Sequence, residues 1–330
     1  MQFFKFFIIS LISFFSFQAS VFGKEIIISS KPINSFEGAK FGEKTDGLIW
    51  RGGLVLTSDV EEFGGLSGIT FTGFNNQVAI VSDIGNFFSG EIIYDKKGAP
   101  LSFDNFSISA IKNSKGNNLP RKFAKDAEAI DLILRNGLPV AVRVGFENLT
   151  RVADFKLTNG APMGAAKEVA IPDALSNERT NGSLEALCIA PKSSPVAGST
   201  LLITERMRDG KNIAAFMLGN KDKGSFAIKK TLGMNPTDCA FLENGDLLIL
   251  ERGTSFLSFT MQLRLIDAND VQPNAILKGK SILNAAGSEI DNMEGLAVHK
   301  DASGNERITI ISDDNFNKWE KTLLLQFSFE

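Results

Sequence analysis

Residues 292–296 read Asn-Met-Glu-Gly-Leu, and an apolar run at residues 308–312 follows them and ends at Asp313. The same order of a short polar motif, an apolar strand, a turn and a second apolar strand closed by an acid occurs four more times upstream. Internal repeats of this length are typical of folds that use one structural unit several times. The stretch decides the fold class, because every copy must adopt the same local structure.

The five copies align on one position of the polar motif. The aligned residues are Ser67, Glu128, Glu185, Asp238 and Glu294, and the second strands end at Asp83, Glu147, Glu205, Glu251 and Asp313. Successive aligned residues are 61, 57, 53 and 56 positions apart. A unit of this length holds four short strands, which is the composition of a β-propeller blade.

The turns and the apolar runs indicate β-hairpins. Asn136-Gly137 and Asn244-Gly245 each separate two apolar segments, and Asn-Gly is the strongest short signal for a hairpin. The second strands are nearly continuous apolar runs, as expected when neighbouring sheets cover both faces. Long amphipathic helical patterns are absent, which disfavours an alternating βαβ architecture. We therefore predict an all-β fold, a β-propeller of five or six four-stranded blades.

The last copy shows only three strands, so we expect the N-terminal strand to close the ring and remove an exposed sheet edge. Residues 25–29 are the predicted closing strand. Residues 41–62 then remain as an extra hairpin or as the core of a degenerate sixth blade. The two alternatives correspond to rings of five and six blades.

The amino terminus has the pattern of an export signal. Lys5 precedes an apolar run at residues 6–17 that is too short for a permanent membrane helix, and Val21 and Gly23 fit the −3 and −1 positions of a cleavage site. We predict a signal peptide at residues 1–23 and a single mature domain at residues 24–330. The mature protein is expected to be periplasmic or secreted, monomeric and free of the membrane.

Composition excludes several chemistries. The formal net charge is −3, and no dense Lys/Arg patch is present, so nucleic acid is not expected as a partner. The single histidine, His299, cannot supply a zinc site with two histidines on one helix, and no Gly-x-Ser-x-Gly motif accompanies it. Hydrolytic chemistry would therefore rest on Asp and Glu. Cys188 and Cys239 lie in apolar runs, which leaves open both buried free thiols and a disulfide.

Hairpin geometry predicts that the repeated acids converge. A residue before the first strand and a residue after the second lie at the same pole of a blade. Glu128 should then face Glu147, and the later blades should pair Glu185 with Glu205, Asp238 with Glu251 and Glu294 with Asp313, while Asp83 faces Ser67. Carboxylates crowded at one pole repel each other unless a cation intervenes, and carboxylate oxygens suit Ca²⁺ or Mg²⁺.

These arguments give a set of candidate site residues. The predicted metal ligands are Asp83, Glu128, Glu185, Glu205, Asp238, Glu251, Glu294 and Asp313, and within this set Glu128, Glu185, Asp238 and Glu294 are the predicted catalytic residues. The predicted substrate-binding residues are Arg151, Arg206, Arg252 and Lys318, which follow the acids in sequence and could bind an anionic group. The alternative interpretation is that the acids only accept backbone hydrogen bonds in turns.

The sequence resembles the phytase-like family, described as having esterase-like activity of phytase. The matching stretches are residues 63–68, 126–129, 183–187, 236–238 with 250–252, and 292–296 with 312–315. The resemblance spans roughly residues 50–329 and implies that the repeated Glu and Asp residues act in phosphoester hydrolysis, with calcium as the ion by analogy to true propeller phytases. Ser67 departs from the acidic pattern of the other four copies, which makes the ring asymmetric.

The leading functional hypothesis is a metal-dependent phosphoric ester hydrolase with calcium held by the carboxylate ring and a small-molecule phosphate ester as substrate. One alternative is a lactonase-like propeller that acts on uncharged esters and needs no basic residues near the metal. The other is a calcium-stabilised binding propeller without catalytic activity, whose acids are structural.

Overall fold

A computed structural model describes residues 23–73, 76–219, 224–255 and 258–330 of the chain. The predicted signal peptide lies outside the described residues except for Gly23. Within these ranges the chain forms five antiparallel blades around one axis, which confirms the predicted β-propeller and fixes the number of blades at five. In the same part of the chain, no helix has the length and apolar character needed to cross a membrane.

The strands follow one another blade by blade. Six strands precede the first blade: β1 (Lys24–Glu25), β2 (Ser29–Ile33), β3 (Ser35–Phe36), β4 (Ala39–Lys40), β5 (Lys44–Thr45) and β6 (Leu48–Thr57). Blade 1 is β7 (Leu66–Phe71), β8 (Gln77–Ser82), β9 (Asn86–Tyr94) and β10 (Pro100–Ala110). Blade 2 is β11 (Ala127–Arg135), β12 (Leu138–Phe146), β13 (Arg151–Thr158) and β14 (Ala161–Val169).

The remaining blades repeat this meander. Blade 3 is β15 (Leu184–Ile189), β16 (Thr200–Asp209), β17 (Asn212–Leu218) and β18 (Gly224–Ile228). Blade 4 is β19 (Asn235–Phe241), β20 (Leu247–Ser255) and β21 (Ser258–Ile266), then β23 (Lys280–Ala286) after β22 (Ile276–Leu277), which joins blade 3. Blade 5 contains β24 (Asn292–Lys300), β25 (Glu306–Asp313) and β26 (Thr322–Ser328). Two helices, α1 (Lys122–Lys125) and α2 (Asp173–Ser176), and a 3₁₀ turn (Ala268–Asp270) lie between strands.

An N-terminal strand closes the ring, as predicted, but it is β6 and not residues 25–29. β6 pairs antiparallel with β26, β2 extends the sheet beyond β6, and β1 joins the outer edge of blade 1 through β10. The difference follows from buried apolar area. Trp50 in β6 is fully buried and packs against Phe36 and Phe327, with ring centroids 5.3 and 5.2 Å away, so β6 brings more apolar surface to blade 5.

The innermost strands β7, β11, β15, β19 and β24 pack closely around the axis. A Cβ atom on Gly68 of β7 would lie 3.0 Å from the carbonyl oxygen of Glu128, and one on Gly295 of β24 would lie 3.1 Å from Cα of Gly68. Only glycine permits this approach of blades 5, 1 and 2. A disulfide between Cys188 and Cys239 joins β15 to β19, which settles the state of the cysteines and is typical of oxidising compartments.

Candidate metal centre

A β-bulge interrupts the innermost strand of every blade at the same place. The extra, unpaired residues are Ser67, Glu128, Glu185, Thr237 and Glu294. A bulge re-aims the side chain of its extra residue and bends the strand. The five bulges therefore present one side chain from each blade at a common pole.

Two further positions complete each blade's contribution to this pole. The first of these positions lies on the second strand or directly after it, at Asp83, Glu147, Glu205, Arg252 and Asp313, and opposite these residues lie Gly65, Asp126, Ser183, Asn235 and Asn292. The first three of these pairs are defined by backbone bonds of 2.9–3.0 Å, such as Glu147 N–H to the carbonyl of Asp126. Blade 4 differs from the others because a guanidinium replaces the acid.

Asp238 and Glu251 do not take the ring positions expected for them, since the bulge of blade 4 lies at Thr237. Each of the two acids lies one residue away from the ring position of its strand, and its side chain contacts other partners. Asp238 is 1% exposed and accepts hydrogen bonds from the backbone N–H groups of Cys239 at 2.8 Å and Leu296 at 2.7 Å. It thus connects the innermost strands of blades 4 and 5.

Glu251 has a similar structural environment on the outer side of β20. Its carboxylate accepts a hydrogen bond from Arg264 Nη2 at 2.8 Å and one from the Thr231 hydroxyl at 3.1 Å. With each donor supplied by the chain, Glu251 fits the turn-and-ion-pair interpretation of the acids and not a ligand role.

Blades 2 and 3 bring five carboxylates together. Asp126, Glu128 and Glu147 each offer an oxygen within 4.8 Å of the others, and so do Glu147, Glu185 and Glu205. Glu147 belongs to both groups. The sequence placed Glu147 in the ring without assigning it as a ligand, and Asp126 was missed because its motif position is not acidic in the other copies.

Two acids at this pole have carboxylate oxygens without a hydrogen-bond donor among the described residues. Glu185 is only 8% exposed, yet its side chain accepts no hydrogen bond from the described residues. Asp83 likewise has a buried Oδ1 without a hydrogen-bond partner in the part of the chain that the structure describes. A buried charge without compensation is costly, and a positive ion would provide that compensation.

Burial and mutual repulsion raise the pKa values of the ring acids. Burial is the main cause at Glu147 and Glu294, where the pKa rises to about 7, and at Asp313, where it rises to about 8. The pKa values of Glu128 and Glu185 lie well above the ordinary value, first through burial and then through neighbouring carboxylates. The donors are all oxygens, which fits a hard divalent cation.

The four predicted basic residues have different environments. Arg252 Nη1 lies 2.7 Å from Glu294 Oε1, and Arg206 Nε lies 2.8 Å from Glu205 Oε2. Arg151 instead donates to the carbonyls of Ala124 and Leu149 and lies over the Phe146 ring. Lys318 is exposed in the loop after Asp313 and forms no salt bridge with the described residues.

A lysine that the sequence analysis missed also borders the ring. Lys122 of α1 is exposed, and its charge lowers the pKa values of both Asp83 and Asp126 against the larger effect of their burial. The short helix that carries it gave no periodic signal in the sequence. Arg252 and Arg206 therefore contact the carboxylates directly, and Lys122 acts on Asp83 and Asp126 through its charge.

The metal-free protein is expected to lose stability as the pH rises. A carboxyl group whose pKa is higher in the folded than in the unfolded state stabilises the fold below its unfolded pKa, and this contribution is lost as the pH rises through the folded pKa. The raised values of Glu147, Glu294 and Asp313 place the loss between about pH 4 and pH 8. Melting temperatures measured after chelation should fall across this interval, and calcium should restore stability most strongly at its upper end. A melting temperature that rises across the interval would contradict the assignment.

Among curated protein sequences, none matches the chain significantly. Two similar solved structures are an endo-arabinase from Bacteroides thetaiotaomicron, with 12% identity, TM-score 0.47 and coverage of 82% of this chain and 95% of that one, and an endo-1,4-beta-xylanase from the same organism, with 8% identity, TM-score 0.44 and coverage of 81% and 91%.

A family model gives the assignment. The model described as "Phytase-like: Esterase-like activity of phytase" matches residues 61–316. The match runs from the loop before β7 to the loop after β25, so it includes all five bulges and every ring position. The chain therefore belongs to the phytase-like family.

Proposed function

We propose that the protein is a calcium-dependent hydrolase of phosphate esters that works at the bulge pole of the propeller. The observation that carries the proposal is the presence of two clusters of three carboxylates that share Glu147. Within the second cluster, Glu185 is buried and has no hydrogen-bond donor among the described residues. Membership of the phytase-like family supports the reaction class.

The residues of blades 2 and 3 would hold the ion. Asp126, Glu128, Glu147, Glu185 and Glu205 provide oxygen donors of the kind that calcium prefers. When bound, calcium supplies the positive charge that neutralises these carboxylates and polarises a phosphoryl oxygen. Glu147 keeps its orientation because the backbone N–H of Gly182 donates to its Oε1.

Basic side chains would orient the phosphate group. Arg206 is more accessible than Arg252, since its side chain is 60% exposed against 16%, while its Nε contacts Glu205. Arg252 is fixed by contacts to Glu294 and to Asn292, so it neutralises one side of the ring and faces an anion with its remaining donors. Together with Lys122 they form a positive border beside the carboxylates.

Hydrolysis assays on the mature chain test the proposal. The protein is stripped with a chelator and assayed against a phosphomonoester and a phosphodiester with and without added calcium. We expect turnover only with calcium, and Glu185→Gln should lower it by about 100-fold or more because a site carboxylate is lost. Glu168→Gln is the control, since Glu168 is exposed on the outer strand of blade 2 and should behave as wild type. Calcium-dependent melting without turnover of any ester would indicate a binding propeller instead.

A second candidate is hydrolysis of uncharged esters, as in lactonase-like propellers. It is favoured by one observation: the guanidinium groups of Arg206 and Arg252 already contact carboxylates of the ring, which leaves fewer free charges for a phosphate. Arg206→Ala separates the two candidates. If the first candidate is correct, the variant should lose phosphate ester turnover. A calcium-dependent lactonase without phosphatase activity, whose lactone turnover the substitution leaves unchanged, would establish the second.

A further inference from the structure

Blade 1 contributes the smallest residues to the ring at this pole. Its bulge residue is Ser67, whose hydroxyl donates to the carbonyl of Gly65 at 3.2 Å. Gly65 itself occupies the position that Asp126 takes in blade 2, where a carboxylate joins the metal group. Two positions that carry acidic side chains in blade 2 therefore carry no acid in blade 1.

The ring of Phe316 covers the backbone of blade 1 at this pole. A Cβ atom on Gly65 would lie 2.7 Å from Cε2 of Phe316 and would collide with Oδ1 of Asp83, and one on Gly64 would lie 2.9 Å from Cε1 of Phe316. The aromatic ring and the Asp83 carboxylate are thus neighbours above two glycines. Phe316 remains 45% exposed, so one face of the ring is open toward solvent beside the carboxylates.

The loop after β25 holds Phe316 in a fixed position. Asp314 Oδ1 accepts hydrogen bonds from the backbone N–H of Phe316 at 3.1 Å and of Gly65 at 3.2 Å, and Asp314 Oδ2 accepts one from the Thr322 hydroxyl at 3.1 Å. Phe316 has a φ of 51°, a conformation that is rare for an aromatic residue and persists only when its surroundings impose it. The exposed ring is therefore a preorganised surface and not a loose side chain.

We infer that Phe316 is a specificity-determining residue, and that its exposed face stacks on the alcohol part of an ester whose alcohol is a flat aryl ring. The inference rests on the proposed hydrolase function. With the phosphate held near the carboxylates and the basic residues, the alcohol would lie over blade 1, where Ser67 and Gly65 carry no acid and where Phe316 lies beside Asp83. Stacked aromatic pairs favour an aryl group over a small alkyl group of the same charge.

Paired aryl and methyl esters test this inference. With calcium present, Phe316→Ala should lower kcat/KM for phenyl phosphate by roughly 3- to 10-fold through KM and leave methyl phosphate unchanged. Phe316→Tyr should retain the aryl preference. Trp319→Ala is the matched control, because Trp319 is 90% exposed in the same loop, and it should change neither substrate. Equal losses for both esters, or none, would overturn the inference.

A binding measurement separates this result from the fate of the proposed function. Calorimetry with phenylphosphonate and methylphosphonate on the calcium-loaded protein reports the same preference without any turnover. If no ester is hydrolysed but phenylphosphonate binds more tightly and Phe316→Ala removes the difference, the hydrolase proposal fails and the aryl surface stands. If esters are hydrolysed and Phe316→Ala leaves both affinities unchanged, the hydrolase proposal stands and the aryl surface is refuted.

Discussion

Glu147→Gln is expected to weaken calcium binding by at least about 100-fold, more than the 10- to 100-fold typical of changes outside the metal's own ligands. Glu147 is the one residue that belongs to both clusters of three carboxylates, so its neutralisation removes a charge from each cluster. Glutamine keeps an oxygen for the N–H of Gly182, which preserves the local backbone. Isothermal titration with calcium measures the affinity, and the melting shift induced by calcium should vanish in parallel.

The control for this prediction is Glu168→Gln, which removes the same charge from the same blade at an exposed site. Its calcium affinity should equal that of wild type if local geometry and not net charge matters. A Glu147→Gln protein that binds calcium with unchanged affinity would show that the two carboxylate groups are not the ion's site, and the hydrolase proposal would lose its supporting observation.

Asp238→Ala is expected to destabilise the fold by roughly 3–4 kcal/mol while leaving the calcium response intact. The change leaves the backbone N–H groups of Cys239 and Leu296 without their acceptor, and each buried donor left unsatisfied costs about 1–3 kcal/mol. Urea denaturation of the disulfide-bonded protein measures the loss. The calcium-induced shift in the unfolding midpoint should equal that of wild type.

Asp131→Ala provides a matched comparison for Asp238→Ala. Asp131 accepts hydrogen bonds from the backbone N–H groups of Ile189 and Leu132, both at 2.7 Å, and so joins blades 2 and 3 as Asp238 joins blades 4 and 5. Both variants should lose stability without losing calcium binding. A stable Asp238→Ala protein that no longer responds to calcium would restore Asp238 as a ligand, contrary to its position in the structure.

The fold could be predicted from the sequence because each repeat contains local turn and strand signals. Asn136 and Gly137 adopt φ values of 54° and 79°, as the Asn-Gly hairpin signal requires, and the apolar second strands are buried between blades. The motifs predicted five repeated units and left open a sixth, degenerate blade, and the structure has five blades. The closing strand was harder to identify because its partner, β26, lies at the other end of the chain, and the sequence of β6 contains no local signal for this pairing.

The site could be predicted only in part, because residue type does not reveal register. The convergence of Glu128 with Glu147, and of Glu185 with Glu205, followed correctly from hairpin geometry. In blade 4 the sequence offers an acid one residue after the true bulge at Thr237, and an alignment that prefers acids selects it. A one-residue shift sends a strand side chain to the opposite face, so Asp238 became a structural acceptor and Arg252 entered the ring.

The pairing of β6 with β26 has a consequence for the order of assembly. Gly53 pairs with Leu325, so blade 5 is unfinished until nearly the whole chain has emerged from the ribosome. Contacts so distant in sequence form slowly. Until they form, the unpaired strand edges of β6 and β26 are prone to aggregation. Such a chain becomes a closed ring only when β26 meets β6.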